Sequence, residues 1–325
     1  MNNKNDRYKW YVLAILTVVY MFNFIDRHAL VILQEDIKQD LALSDTQLGF
    51  LTGLAFAILY VGLGIPLAKL ADSYNRKNLL TFCLFIWSLM TYFSGRAQNF
   101  VQMSLTRLGV SAGEAGCAPT SHSIISDYFP AEQRATAIAI FTSGIFFGVL
   151  FGFVVAGWMA SSYGWRVAFY ILGISGMVLA ILLSLFLKEP IRGQFDKIKN
   201  EGKDPSFKEV LSYMLGQKTF LYMCIADGFS AFAINSSGNF LPSFLMRVHN
   251  LDLMTVSIAI GLSAGVGGVL GTIMGGRIAD KKGITNKRWY LFVPVIGCLL
   301  SLFPAAIMYF SDNTNLVLST ILPTT

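Results

Sequence analysis

"AKLADSYNRK" at residues 68–77 and "GRIADKKGITNK" at 276–287 each close a long apolar run, and each carries an aspartate followed by cations. Asp72 and Asp280 stand 208 residues apart. At the same offset Ser44 in "SDTQ", an N-cap candidate with Gln47 three residues on, matches Asp252 in "DLMT", a second good cap. Trp10 matches Lys218 in the same register, each at the start of an apolar run. Three registrations at one spacing predict two homologous halves.

What the halves are made of follows from composition. Of 325 residues 54% are hydrophobic and 14% charged, and the mean hydropathy is +0.56, too apolar for an ordinary soluble chain. A helix crossing the hydrocarbon needs about 20 apolar residues. Nine such spans are expected near 10–33, 46–70, 77–97, 100–122, 134–157, 166–187, 218–246, 254–276 and 288–310. A tenth begins at Asn315 and has about half the needed length at Thr325, so the chain is expected to end inside a helix. The expected fold is all-α and polytopic: an N-terminal six-helix half (1–187), a cytoplasmic linker (188–217) and an incomplete C-terminal half (218–325) holding helices seven to nine and the start of the tenth. The first apolar run is too long for a signal peptide and lacks a small-residue cleavage site, so it stays as a helix. Cys83, Cys117, Cys224 and Cys298 fall inside spans at spacings that match no zinc or disulfide pattern.

If the N-terminus is cytoplasmic, 19 of the 25 Lys and Arg fall in cytoplasmic segments and four, Lys38, Arg96, Arg166 and Arg247, on the other side. Basicity here reports topology in an inner membrane, and nucleic acid is not an expected partner.

Few ionisable groups lie within the spans: Asp26, Arg27 and His28 in helix one, Arg107, Glu114 and His122 in helix four, Asp227 in helix seven. A charge at mid-bilayer costs about 2.5–3.5 kcal/mol on insertion scales, so such groups pair, face water or serve function. Arg107 and Glu114 are seven residues apart on one face of helix four, with Ser111 and Ala118 as small neighbours. Asp26 lies ~24 Å along helix one, near the level of Arg107, with Glu114 some two turns deeper. If helices one and four share a cavity, protonating either acid frees an arginine to re-pair or to hold an anion. Asp26 and Glu114 are the candidate proton-coupling groups, and Arg27 and Arg107 the ion-pair switch. The competing reading is a static ion-pair network, a poor source of stability. His28 points ~200° from Asp26 and suits packing, and His122 is expected at an interface. At the repeat offset Asp26 and Arg27 correspond to Ile234 and Asn235, so the second half offers Asn235, Ser236, Ser237 and Asn239, with Asp227, as possible substrate contacts.

These features resemble the major facilitator superfamily over the whole chain. That family's loop after helix two has a Gly, an acid four residues on, and then basic residues. The second copy keeps Gly276, Asp280, Lys281 and Gly283; the first keeps Asp72, Arg76 and Lys77 but has Ala68 for the Gly and Ser73 for a cation. The resemblance makes these gating loops, while positive-inside anchoring is the plainer reading. "FIDRHAL", "TRLGVSAGEAG" and "SDYFPAEQRATA" are similar to the spinster-type branch, linked to lysolipid and sphingoid transport in eukaryotes and to proton coupling in bacteria. The resemblance implies alternating access by a proton-coupled carrier of a small amphiphile or lysolipid-like molecule, working as a monomer. It assigns the switch to Asp26, Arg27, Arg107 and Glu114. An Asp-Arg pair in helix one also occurs in organic-anion symporters of the superfamily, which is the alternative. A non-functional fragment and a lipid enzyme are the remaining rivals.

The glycine-rich helix eight has no strand before it and is no phosphate loop. Gly267, Gly271 and Gly275, like Gly144, Gly148 and Gly152, are expected to let helices approach closely. No metal-ligand pair, nucleophile elbow or cofactor motif appears, so neither metal nor cofactor is expected, and the chain is not expected to be an enzyme.

Overall fold

The computed structural model describes residues 3–195 and 207–324; positions 196–206 of the expected linker lie outside them. Among the described residues every element is helical. In chain order they are α1 (Asn3–Asp40), α2 (Asp45–Gly49), a π-helical turn (Phe50–Leu54), α3 (Ala55–Ser73), α4 (Arg76–Ser94), α5 (Phe100–Glu114) and α6 (Cys117–Tyr128). Then come α7 (Ala131–Tyr163), α8 (Trp165–Phe186), α9 (Phe207–Gly216), α10 (Lys218–Val248), α11 (Leu253–Gly283), α12 (Trp289–Phe310) and α13 (Thr314–Thr324).

Six helical stretches are both long and apolar enough to cross a membrane: Arg7–Asp40, Asp45–Ser73, Ala131–Tyr163, Trp165–Phe186, Leu253–Gly283 and Trp289–Phe310. The expected spans at 77–97 and 218–246 coincide with α4 and α10, whose polar residues dilute their hydropathy. The span expected at 100–122 is two helices, α5 and α6, parted at Ala115 and Gly116. Several helices also outrun their apolar segments, as α1 does at both ends. Apolarity marks what can face hydrocarbon, while the hydrogen-bonded ladder continues until a cap or turn stops it.

The capping signals act as their chemistry predicts. Ser44 Oγ accepts the Gln47 amide while Gln47 Oε1 accepts the Ser44 amide, a complete capping box. Asp252 Oδ2 accepts the Thr255 amide at the start of α11 and Oδ1 accepts its hydroxyl at 2.6 Å. These bonds from Thr255 hold the Asp252 carboxyl below the usual carboxylate range. Among the described residues only Ala42 and Asn250 are non-glycines with positive φ, both 51°. They sit 208 residues apart, so the spacing of the sequence repeat recurs in the backbone turns that follow α1 and α10.

Close helix contacts depend on glycine. A Cβ on Gly144 would stand 2.8 Å from the Thr17 carbonyl and one on Gly148 2.6 Å from the Met21 carbonyl, so α7 lies directly on α1. The opposite face of α7 receives α11, but not through the glycines expected there. Gly271 meets nothing within 4 Å and Gly275 touches only Val293 at 3.5 Å, whereas Gly261 and Gly265 dock on Leu150, Phe153 and Val154. Gly267 follows Gly265 by two residues, a rotation of about 200°, so the stripe that begins there points to another side of the helix.

Two apolar cores result. One gathers Val12, Leu16, Leu84, Trp87, Ile124 and Phe141; the other gathers Ile25, Leu33, Met103, Phe153, Leu245 and Val256. Between them, along α1 and α5, lie Asn23, Asp26, Arg27, Arg107 and Glu114.

Candidate functional site

Helix α5 brings its charges to the centre by pressing on α4. Built onto Gly113, a Cβ would stand 2.8 Å from the Cys83 carbonyl and from Trp87 Cβ; on Gly109 it would meet Met90 Cγ at 2.5 Å, and on Gly116 Cys83 Sγ at 2.6 Å. With these side chains missing, α5 lies flat on α4 and turns Arg107 (2% exposed) and Glu114 (0%) toward α1.

Arg27 Nε donates to Glu114 Oε2 at 2.7 Å, a pair buried on the carboxylate side. The guanidinium is also clad in aromatic faces, its Cζ lying 4.9 Å from the Phe24 ring centre, 4.4 Å from Phe56 and 4.7 Å from Tyr60. Asp26, next in the chain, turns away: its Oδ2 accepts the Thr91 hydroxyl of α4 at 3.0 Å, and the Trp87 side chain of the same helix lies against its carboxylate. Arg107 Nε and Nη1 and Ser88 Oγ are buried without a hydrogen-bond partner, while the Asn23 side chain lies against the Glu114 carboxylate. Four charges thus share one region with one direct ion pair and spare donors on Arg107.

Helical rise sets Arg27 near Arg107 and about two turns from Glu114, yet Arg27 and Glu114 touch. Two long side chains span that offset, which a count of backbone rise ignores. His28 lies on the α7 side of α1, its ring 5.1 Å from Phe153. His122 packs edge-on against Phe141 at 5.3 Å.

Of the candidate substrate contacts on α10, Asp227, Asn235 and Ser236 are exposed, and Asn235 Nδ2 bonds its own helix at the Ala231 carbonyl. Asn239 lies between helices: its carbonyl accepts Gln34 Nε2 at 2.7 Å and its Nδ2 donates to the Thr52 carbonyl, inside the π turn, at 3.4 Å. Gln34 also donates to Ser243 Oγ at 2.8 Å. Nearby Arg247 grips Glu35 and Asp45, each at 2.7 Å, and Lys38 Nζ also holds Asp45 at 2.7 Å. Hydrogen bonds to Asp45 and Glu35 push the Arg247 guanidinium still higher. The ends of α1 and α10 are therefore fastened together. Glu35 and Gln34 stand in the sequence as polar residues at the rim of an apolar run, and with Arg247 they form a cluster that only the pairing of α1 with α10 brings together.

At the opposite end the two loop copies behave differently. Asp72 is exposed, whereas Arg76 is 2% exposed and forks between Asp127 of α6 and Glu189, whose Oε1 accepts Nε at 2.8 Å, with Nη2 donating to the Pro190 carbonyl. Burial pulls the Arg76 pKa down, but the bonds to Asp127 and Glu189 outweigh it and raise the net value. Glu189 also accepts the Lys77 amide at 2.8 Å. In the second copy Asp280 faces the Tyr290 hydroxyl at 3.4 Å, Lys282 stacks over Trp289, and Gly276 and Lys281 stay in the open.

No group of three or more His, Cys, Asp or Glu suited to a metal occurs among the described residues. What the site holds is one buried ion pair, Arg27–Glu114, beside two further buried charges, Asp26 and Arg107.

Comparison with known proteins places this geometry in context. Residues 16–323 match the Major Facilitator Superfamily. An MFS-type efflux pump of Mycolicibacterium smegmatis is 33% identical over 94% of this chain and 70% of its own length, and the hexuronate transporter of Bacillus subtilis is 28% identical over 91% and 71%. The crystal structure of a bacterial homologue of the human lysosomal transporter spinster, inward-facing and unoccupied, superposes with a TM-score of 0.82 and 31% identity, covering 98% of this chain and 72% of that one. These relatives are transporters of small molecules across membranes, not enzymes. The chain belongs to the Major Facilitator Superfamily, as a spinster-like integral membrane transporter.

Proposed function

We propose that the protein is a proton-coupled secondary transporter working by alternating access, with Asp26 and Glu114 taking the proton and Arg27 and Arg107 changing partners. The observation that carries this reading is the Arg27–Glu114 pair set beside two further buried charges outside the pair, Asp26 and an Arg107 whose Nε and Nη1 have no hydrogen-bond partner. Protonating Glu114 removes the charge that holds Arg27, and the spare donors of Arg107 and the carboxylate of Asp26 offer the alternative arrangement.

The nine spans and partial tenth, grouped as halves 1–187 and 218–325 around a linker at 188–217, supply two bodies that rock about this site. With the N-terminus cytoplasmic in a bacterial inner membrane, the Arg247–Glu35–Asp45 fastening lies outside and closes that face, so the conformation is inward-facing. The exposed α10 groups Asp227, Asn235 and Ser236, with Asn239, line the route for a small amphiphile or lysolipid-like substrate. The loops with Asp72, Arg76, Lys77, Gly276, Asp280 and Lys281 work the inner gate, and the protein acts as a monomer. Two guanidiniums in one region, and the hexuronate transporter among the relatives, favour a second reading, an organic-anion/proton symporter.

Reconstitution with an imposed proton gradient tests both, with a fluorescent lysophosphatidylethanolamine and radiolabelled glucuronate as probes. Gradient-driven movement of the first supports the amphiphile reading and of the second the anion reading. Asp26→Asn and Glu114→Gln are each expected to abolish it; undiminished transport in both variants refutes the coupling.

A further inference from the structure

Arg27 has a second set of neighbours that the ion-pair scheme does not use. Phe56 and Tyr60 are one turn apart on α3, stacked with centroids 5.1 Å apart, and together with Phe24 they present ring faces to the guanidinium. Their placement depends on the π turn at Phe50–Leu54, because one extra residue in a helical turn rotates everything after it. The same π turn is where α10 touches this helix, through Asn239 Nδ2 on the Thr52 carbonyl and through Phe240, whose ring lies 3.6 Å from where a Gly49 Cβ would stand. One short stretch of backbone thus joins the helix from the second half to the rings that hold Arg27.

We propose that Phe56 and Tyr60 are positioning residues of the switch: their rings keep Arg27 in the cavity once Glu114 is neutral, and through the π turn they pass the change to α10. This rests on the proton switch set out above. With Glu114 ionised, the carboxylate holds the guanidinium and the rings only flank it. With Glu114 neutral, the electron-rich faces remain as the adjacent sites of favourable potential. Without them the Arg27 charge would be stranded in a partly desolvated place, and protonating Glu114 would become harder. The charged and titratable groups facing Glu114 are Tyr20, Asp26 and Arg27 of α1, Arg107 of α5 and Cys117 of α6, while Tyr60 of α3 faces Arg27. Replacing the two rings alters none of the carboxylates or guanidiniums among them.

The test follows the opening of the Lys/Arg-rich end against pH in proteoliposomes. Spin labels go on Tyr74→Cys and Ile284→Cys, both exposed at that end, with exposed Cys224 and Cys298 changed to Ser. The expected result is that Phe56→Leu and Tyr60→Leu move the midpoint of the distance change to more acid pH by about one unit. Phe56→Tyr, which keeps the face, leaves it in place, and Tyr60→Phe, which keeps the face but loses the hydroxyl's bond to Arg27, moves it less than Tyr60→Leu does. A common midpoint for aliphatic and aromatic variants overturns the role of the rings. If a leucine variant does not assemble, Phe56→Met or Tyr60→Met makes the same comparison. Glu114→Gln separates the two levels of argument. A distance in that variant that no longer titrates supports the switch, and one that titrates like the parent overturns the switch and this inference with it.

Discussion

Arg27 Nε lies 2.7 Å from Glu114 Oε2 across 87 residues of chain, while Asp26, bonded to Arg27 through the backbone, gives its oxygen to Thr91. Neighbours in sequence on α1 thus serve different helices. Removing one member of the pair leaves the other charge buried alone, so Arg27→Leu should destabilise the protein by about 3–5 kcal/mol. Arg27→Leu/Glu114→Gln should recover most of that loss, since no stranded charge is left. Thermal unfolding of the four forms in detergent at neutral pH measures the coupling, and simple additivity would count against a direct pair.

Gly113 sets how closely α5 lies on α4. Valine there would press three carbons against Trp87 and the Cys83 carbonyl, where even one Cβ stands at 2.8 Å. Overpacking of this kind costs about 1–3 kcal/mol, and the shift of α5 also moves Arg107 and Glu114. Gly113→Val should therefore lose proton-driven transport out of proportion to its loss of thermal stability. Gly297→Ala in α12, with nothing within 4 Å, serves as the control and should transport like the parent.

Arg76 meets Glu189 through Nε, Asp127 through Nη1 and the Pro190 carbonyl through Nη2, using the whole planar fork. Arg76→Lys keeps the charge but cannot reach all three acceptors, so it should behave nearly as badly as Arg76→Ala, each losing about 3–5 kcal/mol. Limited proteolysis after Lys188 and Arg192 checks it, because that segment should be cut sooner in both variants.

Arg247 ties α10 to Glu35 and Asp45, but it is 37% exposed, so solvent screening limits the pair to about 1 kcal/mol. Arg247→Ala should raise the population open at that end by about fivefold. Leu245, fully buried beside it, can be changed to Cys as a reporter. Its reaction with a membrane-impermeant thiol reagent should speed up in the alanine variant, and high salt should produce part of the same effect in the parent.

Much of the fold could be read from pattern. The apolar runs, the caps at Ser44 and Asp252 and the 208-residue register all depend on local chemistry, and each has its counterpart in the helices and turns. Rarity marked out Asp26, Arg27, Arg107 and Glu114, because ionisable groups in apolar runs are costly. Their partners were less legible. Phe56, Tyr60, Trp87 and Thr91 look like any other residues of a membrane helix, and only where α3 and α4 lie makes them neighbours of a charge.

That this chain is a bundle of apolar helices with a repeated plan and a few charges to accommodate follows from local chemistry, because helix formation, capping and hydrophobicity act within a few residues of one another. Which acid holds which arginine was decided by tertiary structure alone. Glycine contacts set the spacing of α4, α5 and α7, a π turn set the rotation of α3, and long side chains bridged levels that helical rise kept apart. Those are differences of a few ångströms between elements distant in the chain, and no local pattern encodes them.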